Sequence, residues 1–332
     1  MLQDIAPCQL HNEYTPDAPQ PDDLVFVFSE KGGKALLRVF DETGRLIDRP
    51  ISDDYPAAPK LVFPRVLDYT RHAPERLPML RFLFRIDETA VFLDIGEGAP
   101  VLAGFTWLST RLFRRGLPKA YSFAGATAWH LRCWYLSSRF CGKCGSACVP
   151  DKKERAMRCP SCGNTIYPRI NPAVIIGVTD GDRIILSRYA DRHQSSVYNA
   201  YSRAYKGQSL IAGYCEIGEA IEDTVRREVM EEVGLRVKNI SYYKSQPWGF
   251  DCALLCGFYC SVEGDTTIRL DQNELSEAVW VHRSEIGEIP GTASLTNEMI
   301  RFFQSDSFSL PSGGLPGTKQ EPAVPIRTDP TP

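Results

Sequence analysis

The chain has 332 residues, 43% hydrophobic and 24% charged, enough for about two globular domains, each with its own core. A formal net charge of −3 and a pI near 6.0 give no overall attraction for nucleic acid or an anionic membrane, so any polyanion contact must be local. No apolar run approaches a membrane span, and the opening MLQDIAPCQLHNEYTPD lacks the basic and apolar regions of a signal peptide, so a cytoplasmic enzyme is expected.

After the Pro-rich stretch YTPDAPQPDD, the segments LVFVF (24–28), ALLRVF (35–40) and AVFLDI (90–95) are short, apolar and bounded by Gly and charged turns. They predict strands of an N-terminal α+β domain over 1–123. An alanine- and aromatic-rich segment from Ala124 to Phe140 predicts a helix that joins the domains and opens a second region, 124–168. Six of the 11 cysteines fall there, four of them grouped as CGKC at 141–144 and CPSC at 159–162. Two Cys-x2-Cys knuckles on a short hairpin bring four thiolates into a tetrahedron, the arrangement of a closed structural zinc site. Gly142, Gly145 and Gly163 allow the tight turns that aim backbone amides at the sulfurs. A pair of disulfides is the alternative, disfavoured inside a cell, and Cys148 competes as a ligand at poorer spacing. Cys8, Cys133, Cys215, Cys252, Cys256 and Cys260 are scattered and read as small buried apolar residues. The histidines are isolated and receive no role.

Beyond the cysteines, NPAVIIGVTDGDRIILSRY predicts two strands around an Asp-Gly turn, and LLCGFYCSV and EAVWVH predict further strands of a mixed sheet in a domain over 169–304. Residues 190–209 are polar, tyrosine-rich and patternless, which predicts a long surface loop. The tail, 305–332, is Pro-rich and reads as disordered.

The run GYCEIGEAIEDTVRREVMEEVGL, Gly213 to Leu235, carries the chemistry. Ile221, Val225, Val229 and Val233 recur every four residues, the apolar stripe of an amphipathic helix over 220–233, and Gly234 reads as its stop. Glu228, Glu231 and Glu232 stand at i, i+3 and i+4 and share one face beside that stripe. Like charges so placed repel unless a cation sits among them, and clustered carboxylates suit Mg²⁺ or Mn²⁺. A solvated acidic helix face is the plainer reading. Glu219 and Arg227 read as a charge pair fixing the loop to the helix.

The run matches G-x5-E-x7-R-E-U-x-E-E-x-G-U (U aliphatic) at every specified position and so resembles the Nudix box. With the four-cysteine ribbon before it and SQPW at 245–248 after it, the chain resembles the NADH pyrophosphatase family of Nudix hydrolases over about residues 124–304. That resemblance implies a Nudix α/β/α sandwich behind a zinc ribbon. It implies two to three Mg²⁺ or Mn²⁺ ions on Glu228, Glu232, Glu277 and the carbonyl of Ala212, with Glu231 completing the catalytic carboxylates. It also implies one structural Zn²⁺ on Cys141, Cys144, Cys159 and Cys162. Substrate contacts would fall on Glu154, Tyr167, Gln246, Pro247, Trp248, Gly249, Phe250, Asp251, Cys252, Ala253, Glu277 and Ser294. Tyr167, Trp248 and Phe250 offer faces for stacking a base or nicotinamide, with core packing as the alternative.

The implied reaction is metal-assisted hydrolysis of NADH or NAD⁺ to NMNH or NMN and AMP, in a homodimer. NAD-capped RNA is a variant substrate, for which Lys143, Lys152, Lys153, Arg155, Arg158 and Arg169 form a local basic excess. A broader ADP-ribose or dinucleoside diphosphatase, and a non-catalytic sensor of NAD or ADP-ribose, are the alternatives. The family's SQPWPFPxS is here SQPWGFDCA. Replacing two prolines by Gly249 and Asp251 predicts a looser loop and weaker discrimination between substrates.

Overall fold

The computed structural model describes residues 1–30, 32–47, 58–190 and 208–309. The N-terminal region holds strands β1 (Leu10–His11), β2 (Leu24–Phe26), β3 (Lys34–Phe40), β4 (Lys60–Val62), β5 (Leu80–Ile86), β6 (Thr89–Asp94) and β7 (Thr106–Ser109), with helix α1 (Val66–His72). They form one sheet ordered β1-β5-β6-β2 and another ordered β4-β3-β7. Phe26, Phe28, Phe63 and Phe113 cluster between them, ring against ring.

Helix α2 runs Lys119–Ser137, five residues earlier than the expected start at Ala124. It is also more than a connector. Ala120, Phe123, Ala124, Trp129, Leu131 and Trp134 are buried in the N-terminal core, and a Cβ at Gly125 would lie 2.8 Å from the Phe113 ring. Apolar residues lie nearly all round the helix, because its other side supports the C-terminal region; this left no one-sided stripe to mark its start.

Three short antiparallel strands follow, β8 (Val149–Pro150), β9 (Met157–Arg158) and β10 (Thr165–Ile166). The largest sheet then comprises β11 (Asn171–Asp180), β12 (Arg183–Tyr189), β13 (Ile211–Tyr214), β14 (Val237–Trp248), β15 (Ala253–Val262) and β16 (Leu275–His282), ordered β14-β15-β11-β12-β16 with β13 on β11. It is mixed: β11 runs parallel to β15 and antiparallel to β12 and β13. Alternation along β11 builds both faces. Val174, Ile176 and Val178 meet Val225, Val229 and Val233 of α3 (Ile221–Val233), while Ile175 faces Leu295, Met299 and Ile300 of α4 (Leu295–Gln304). This is the expected α/β/α sandwich. Gly234 ends α3 in the left-handed region at φ 68°, donating to the Met230 and Val229 carbonyls.

Strand β14 and helix α4 escaped the sequence reading. β14 is an edge strand whose long middle is exposed or half-buried, so it shows no apolar run. The expected loop falls mostly on residues 191–207, outside the described residues. So does the tail from 310 onward. Residues 305–309 are described, and there Phe308 packs on Tyr259, Phe302 and Phe303, so the ordered chain extends past the expected boundary at Ser305.

Candidate active site and zinc ribbon

The box spans the end of β13, a turn and α3. Arg227 organises it: its guanidinium donates to both Glu219 oxygens (2.8 and 3.0 Å), to the Tyr214 carbonyl (2.9 Å), to Glu228 (2.7 Å) and to Glu231 (2.9 Å). The Arg227 contact holds the Glu219 carboxyl down at about 2. The expected pair is therefore present, and its arginine also neutralises two of the box glutamates.

Two carboxylates point inward. Glu228 is 7% exposed and Glu232 2%. Burial, then the charges of Glu228 and Glu274, push Glu232 up to about 8, and its Oε2 has no hydrogen-bond partner among the described residues. Burial likewise raises Glu228, against the pull of Arg227. The Ala212 amide donates to Glu232, and a Cβ at Gly213 would overlap the Glu228 carboxylate, so only glycine lets β13 approach so closely. Buried acids with an orphaned oxygen are costly unless a cation completes them, so the donor set fits divalent metal. Glu231 is different: it lies at the exposed rim, held by Arg227.

The third acidic position needs correcting. Glu277 pairs across the β12–β16 ladder with Arg188 at 3.2 Å, and its side chain is 45% exposed. Glu274, three residues earlier, is the one whose charge acts on both Glu228 and Glu232. It sits in the turn before β16, where its amide bonds to the Asp271 carbonyl (3.2 Å) and its carbonyl accepts from Ala190 (2.9 Å). ELSE offers two glutamates, and only the strand's starting point decides which faces the box.

Beside the box opens a cleft of about 660 Å³ whose walls include His130, Tyr167, Arg169, Tyr214, Asp251 and Cys252. His130 donates through Nε2 to the Arg169 carbonyl (2.8 Å), and burial lowers its pKa. Tyr167 is 57% exposed, its hydroxyl on Glu154 at 3.2 Å. Tyr214, 51% exposed, is an aromatic face that sequence reasoning missed; its signal was an aromatic directly after the Ala212–Gly213 strand end.

The SQPW segment serves the interior more than the cleft. Gln246 is fully buried; it donates to Gln3 (2.9 Å) and the Ala293 carbonyl (2.8 Å) and accepts from the Leu295 amide (2.7 Å), spending every group on α4 and the N-terminus. Trp248 and Phe250 are 7% and 1% exposed, in T-shaped contact at 4.8 Å with the Arg114 guanidinium 5.1 and 5.2 Å from their ring centres. Core packing, not stacking on a ligand, is what their faces do. Gly249 touches α2: a Cβ there would collide with the Ala126 carbonyl, which excludes the family's proline at this position unless the helix moves. Pro247 is exposed and Ala253 buried. Trp248 donates to Asp251 (2.9 Å), and Ser294 caps α4 by accepting from Asn297 (3.2 Å).

In the ribbon, the Cys141, Cys144, Cys159 and Cys162 sulfurs lie within 4.8 Å of one another. The pairs at 3.6 and 3.4 Å are far beyond a disulfide bond, and every cysteine is free, so the disulfide alternative falls. Amides of Lys143 and Cys144 aimed at Cys141 bring its thiol down to about 6, and Gly145 and Gly163 turn at φ 76° and 72°. Four converging thiolates fit zinc; Cys148 stays outside the cluster. Of the basic residues nearby, Arg158 is tied to Asp151 and Glu154, and Arg155 to Asn12, leaving Lys143, Lys152, Lys153 and Arg169 exposed.

A sheet between two helices, with Glu228 and Glu232 of α3 buried against β13, defines a Nudix hydrolase. Residues 169–303 match the NUDIX domain model and residues 136–167 the NADH pyrophosphatase zinc ribbon domain. The NAD-capped RNA hydrolase NudC of Pseudomonas syringae pv. tomato is 34% identical over 233 residues, 70% of this chain and 79% of that protein. Its namesake in Stutzerimonas stutzeri is 33% identical over 263 residues, 77% and 88% of the two chains. The chain belongs to the zinc-ribbon Nudix hydrolases of the NADH pyrophosphatase type, and it is an enzyme of that class.

Proposed function

We propose that this enzyme hydrolyses the diphosphate bond of NADH and NAD⁺ to NMNH or NMN and AMP, and makes the same cut in NAD-capped RNA. The observation that carries it is the buried pair Glu228 and Glu232, acted on by the charge of Glu274 and with one Glu232 oxygen unpartnered among the described residues, next to a cleft of nucleotide size. Glu228, Glu232, Glu274 and the Ala212 carbonyl would hold Mg²⁺ or Mn²⁺. Bound there, about two such ions supply Lewis-acid charge to the phosphate oxygens and acidify a water.

The chain does the rest. Arg227 keeps Glu231 at the rim, where its carboxylate can accept a proton from the attacking water. Tyr214 and Tyr167 present exposed rings for the base and nicotinamide, and Arg169 adds positive charge to the wall. The exposed Lys143, Lys152 and Lys153 supply the local attraction for an RNA backbone. Residues 1–123, the helix and ribbon at 124–168 and the hydrolase region at 169–304 divide the labour, with α2 shared between the first two; a cytoplasmic homodimer is part of this reading.

A product-resolved assay with NADH, NAD⁺, ADP-ribose, diadenosine diphosphate and NAD-capped RNA tests it. NMNH or NMN with AMP should dominate, and NAD-capped RNA should leave a 5′-monophosphate end. Cleavage of ADP-ribose with NADH untouched would assign the site to the broader diphosphatase reading.

A further inference from the structure

Among the described residues lining the cleft beside the box, Arg169 is the one cation and Asp251 the one acid, and they do not pair. Asp251 accepts instead from Trp248 Nε1 (2.9 Å), and the exposed Arg169 guanidinium has no ion pair or hydrogen bond among the described residues. The backbone of Arg169, by contrast, is anchored from two sides. His130 of α2 donates from Nε2 to the Arg169 carbonyl (2.8 Å), and two residues further on the Asn171 amide donates to the Cys252 carbonyl (3.0 Å). Cys252 ends the turn that begins at Gly249, and Gly249 packs against the Ala126 carbonyl, one turn before His130 on the same helix. One helix thus holds both segments that carry the cleft wall. Anchoring the backbone of an exposed cation keeps its charge in one part of the cleft and lessens the entropy lost when an anion binds there.

The register of β11 sets where that charge stands. Val174 lies opposite Gly213, whose missing Cβ makes room for the Glu228 carboxylate. Asn171 stands three residues before Val174, about 10 Å of extended strand, and Arg169 is two residues further along the chain. The two phosphates of a dinucleotide belong at the box, over Glu228 and Glu232, which leaves the Arg169 charge without a phosphate of its own. We propose that Arg169 reads a third phosphate, carried on a ribose of the substrate as a 2′-phosphate or a 3′-phosphodiester, and that His130 positions it. This rests on the dinucleotide diphosphatase reading above and adds a specificity residue to it. A planar guanidinium offers paired N–H donors that match phosphate oxygens, and no acid of the cleft wall competes for them. The 2′-phosphate of NADPH and the first internucleotide linkage of NAD-capped RNA present the same chemistry. His130 acts only through the Arg169 carbonyl, so it is a positioning residue; Gln can supply the same side-chain N–H, and Ala cannot.

The test is calorimetric binding of 5′-AMP, adenosine 2′,5′-bisphosphate and adenosine 3′,5′-bisphosphate to the full-length, zinc-loaded protein with Mg²⁺. At least one bisphosphate should bind about tenfold or more tightly than AMP, the worth of one charge-assisted pair, and which of the two does so tells a 2′-phosphate site from a 3′-phosphodiester site. Arg169→Gln should erase that advantage. His130→Ala should reduce it, His130→Gln should keep most of it, and His130→Ala added to Arg169→Gln should take nothing more away, because both act through one contact. In turnover, the kcat/KM of NADPH or of an NAD-capped dinucleotide relative to NADH should fall in Arg169→Gln through KM, since a phosphate remote from the cut is bound alike before and during the reaction. Equal binding of all three nucleotides by the wild type, or a bisphosphate advantage that survives Arg169→Gln, would overturn the proposal. None of the three nucleotides is a dinucleotide, so their binding is read independently of NADH hydrolysis, and a failure here leaves the diphosphatase reading standing.

Discussion

Replacing Glu232 by Gln should abolish turnover and, in protein free of Mg²⁺ and Mn²⁺, stabilise the fold. The side chain is 2% exposed and its acid is pushed up to about 8 from a reference of 4.5. At about 1.4 kcal/mol per unit, that shift corresponds to a ceiling of roughly 5 kcal/mol. The folded pKa is raised, so the contribution is fully present below about 4.5, where folded and unfolded chains both bind the proton. It is lost as pH rises through 8, where the folded chain must ionise a buried group. Gln has the shape of the protonated acid and does not titrate. Wild-type stability should therefore fall by several kcal/mol between pH 5 and pH 8.5 relative to the variant, and added Mg²⁺ should restore it only in the wild type, by mass action on the metal-bound state. Urea unfolding of both proteins at the two pH values, with and without Mg²⁺, reads this directly. Hydrolysis at saturating Mg²⁺ should drop by about three orders of magnitude in the variant. Parallel pH profiles in the two proteins, or equal stabilisation of both by Mg²⁺, would refute the idea that Glu232 is a buried acid awaiting a cation.

Glu274→Gln should lower kcat by at least about a hundredfold, whereas Glu277→Gln, which breaks only an exposed pair with Arg188, should stay within about threefold; the two kinetic constants compared side by side decide between them. Metal analysis should find one zinc per chain, and Cys144→Ser should lose it and unfold at lower temperature, as followed by thermal melting. Gly249→Ala should cost about 1–3 kcal/mol, because its Cβ would enter the Ala126 carbonyl, and the loss should appear in the urea midpoint before any change in KM.

Much of the fold and part of the site are written in local pattern. The four-residue stripe from Ile221 to Val233, with Gly234 after it, needs only helical periodicity to be seen, and it carries Glu228 and Glu232 with it. The two Cys-x2-Cys knuckles bring their sulfurs together through turns a few residues long, so their spacing alone places the cluster. The reading failed where a residue's meaning depends on something distant in sequence. Trp248 and Phe250 look like ligand-stacking aromatics until α2 and Arg114 cover them. Glu274 and Glu277 are equivalent in ELSE until a bulge in the β12–β16 ladder gives Glu277 to Arg188 and leaves Glu274 by the box. Gly249 and Ala126 stand far apart in the chain, and only the packing of a turn onto α2 shows why no side chain fits at Gly249. Short-range periodicity and turn chemistry are properties of neighbours and survive in the sequence. Burial, charge partnership and close backbone approach are properties of packing, so the tertiary structure decides them.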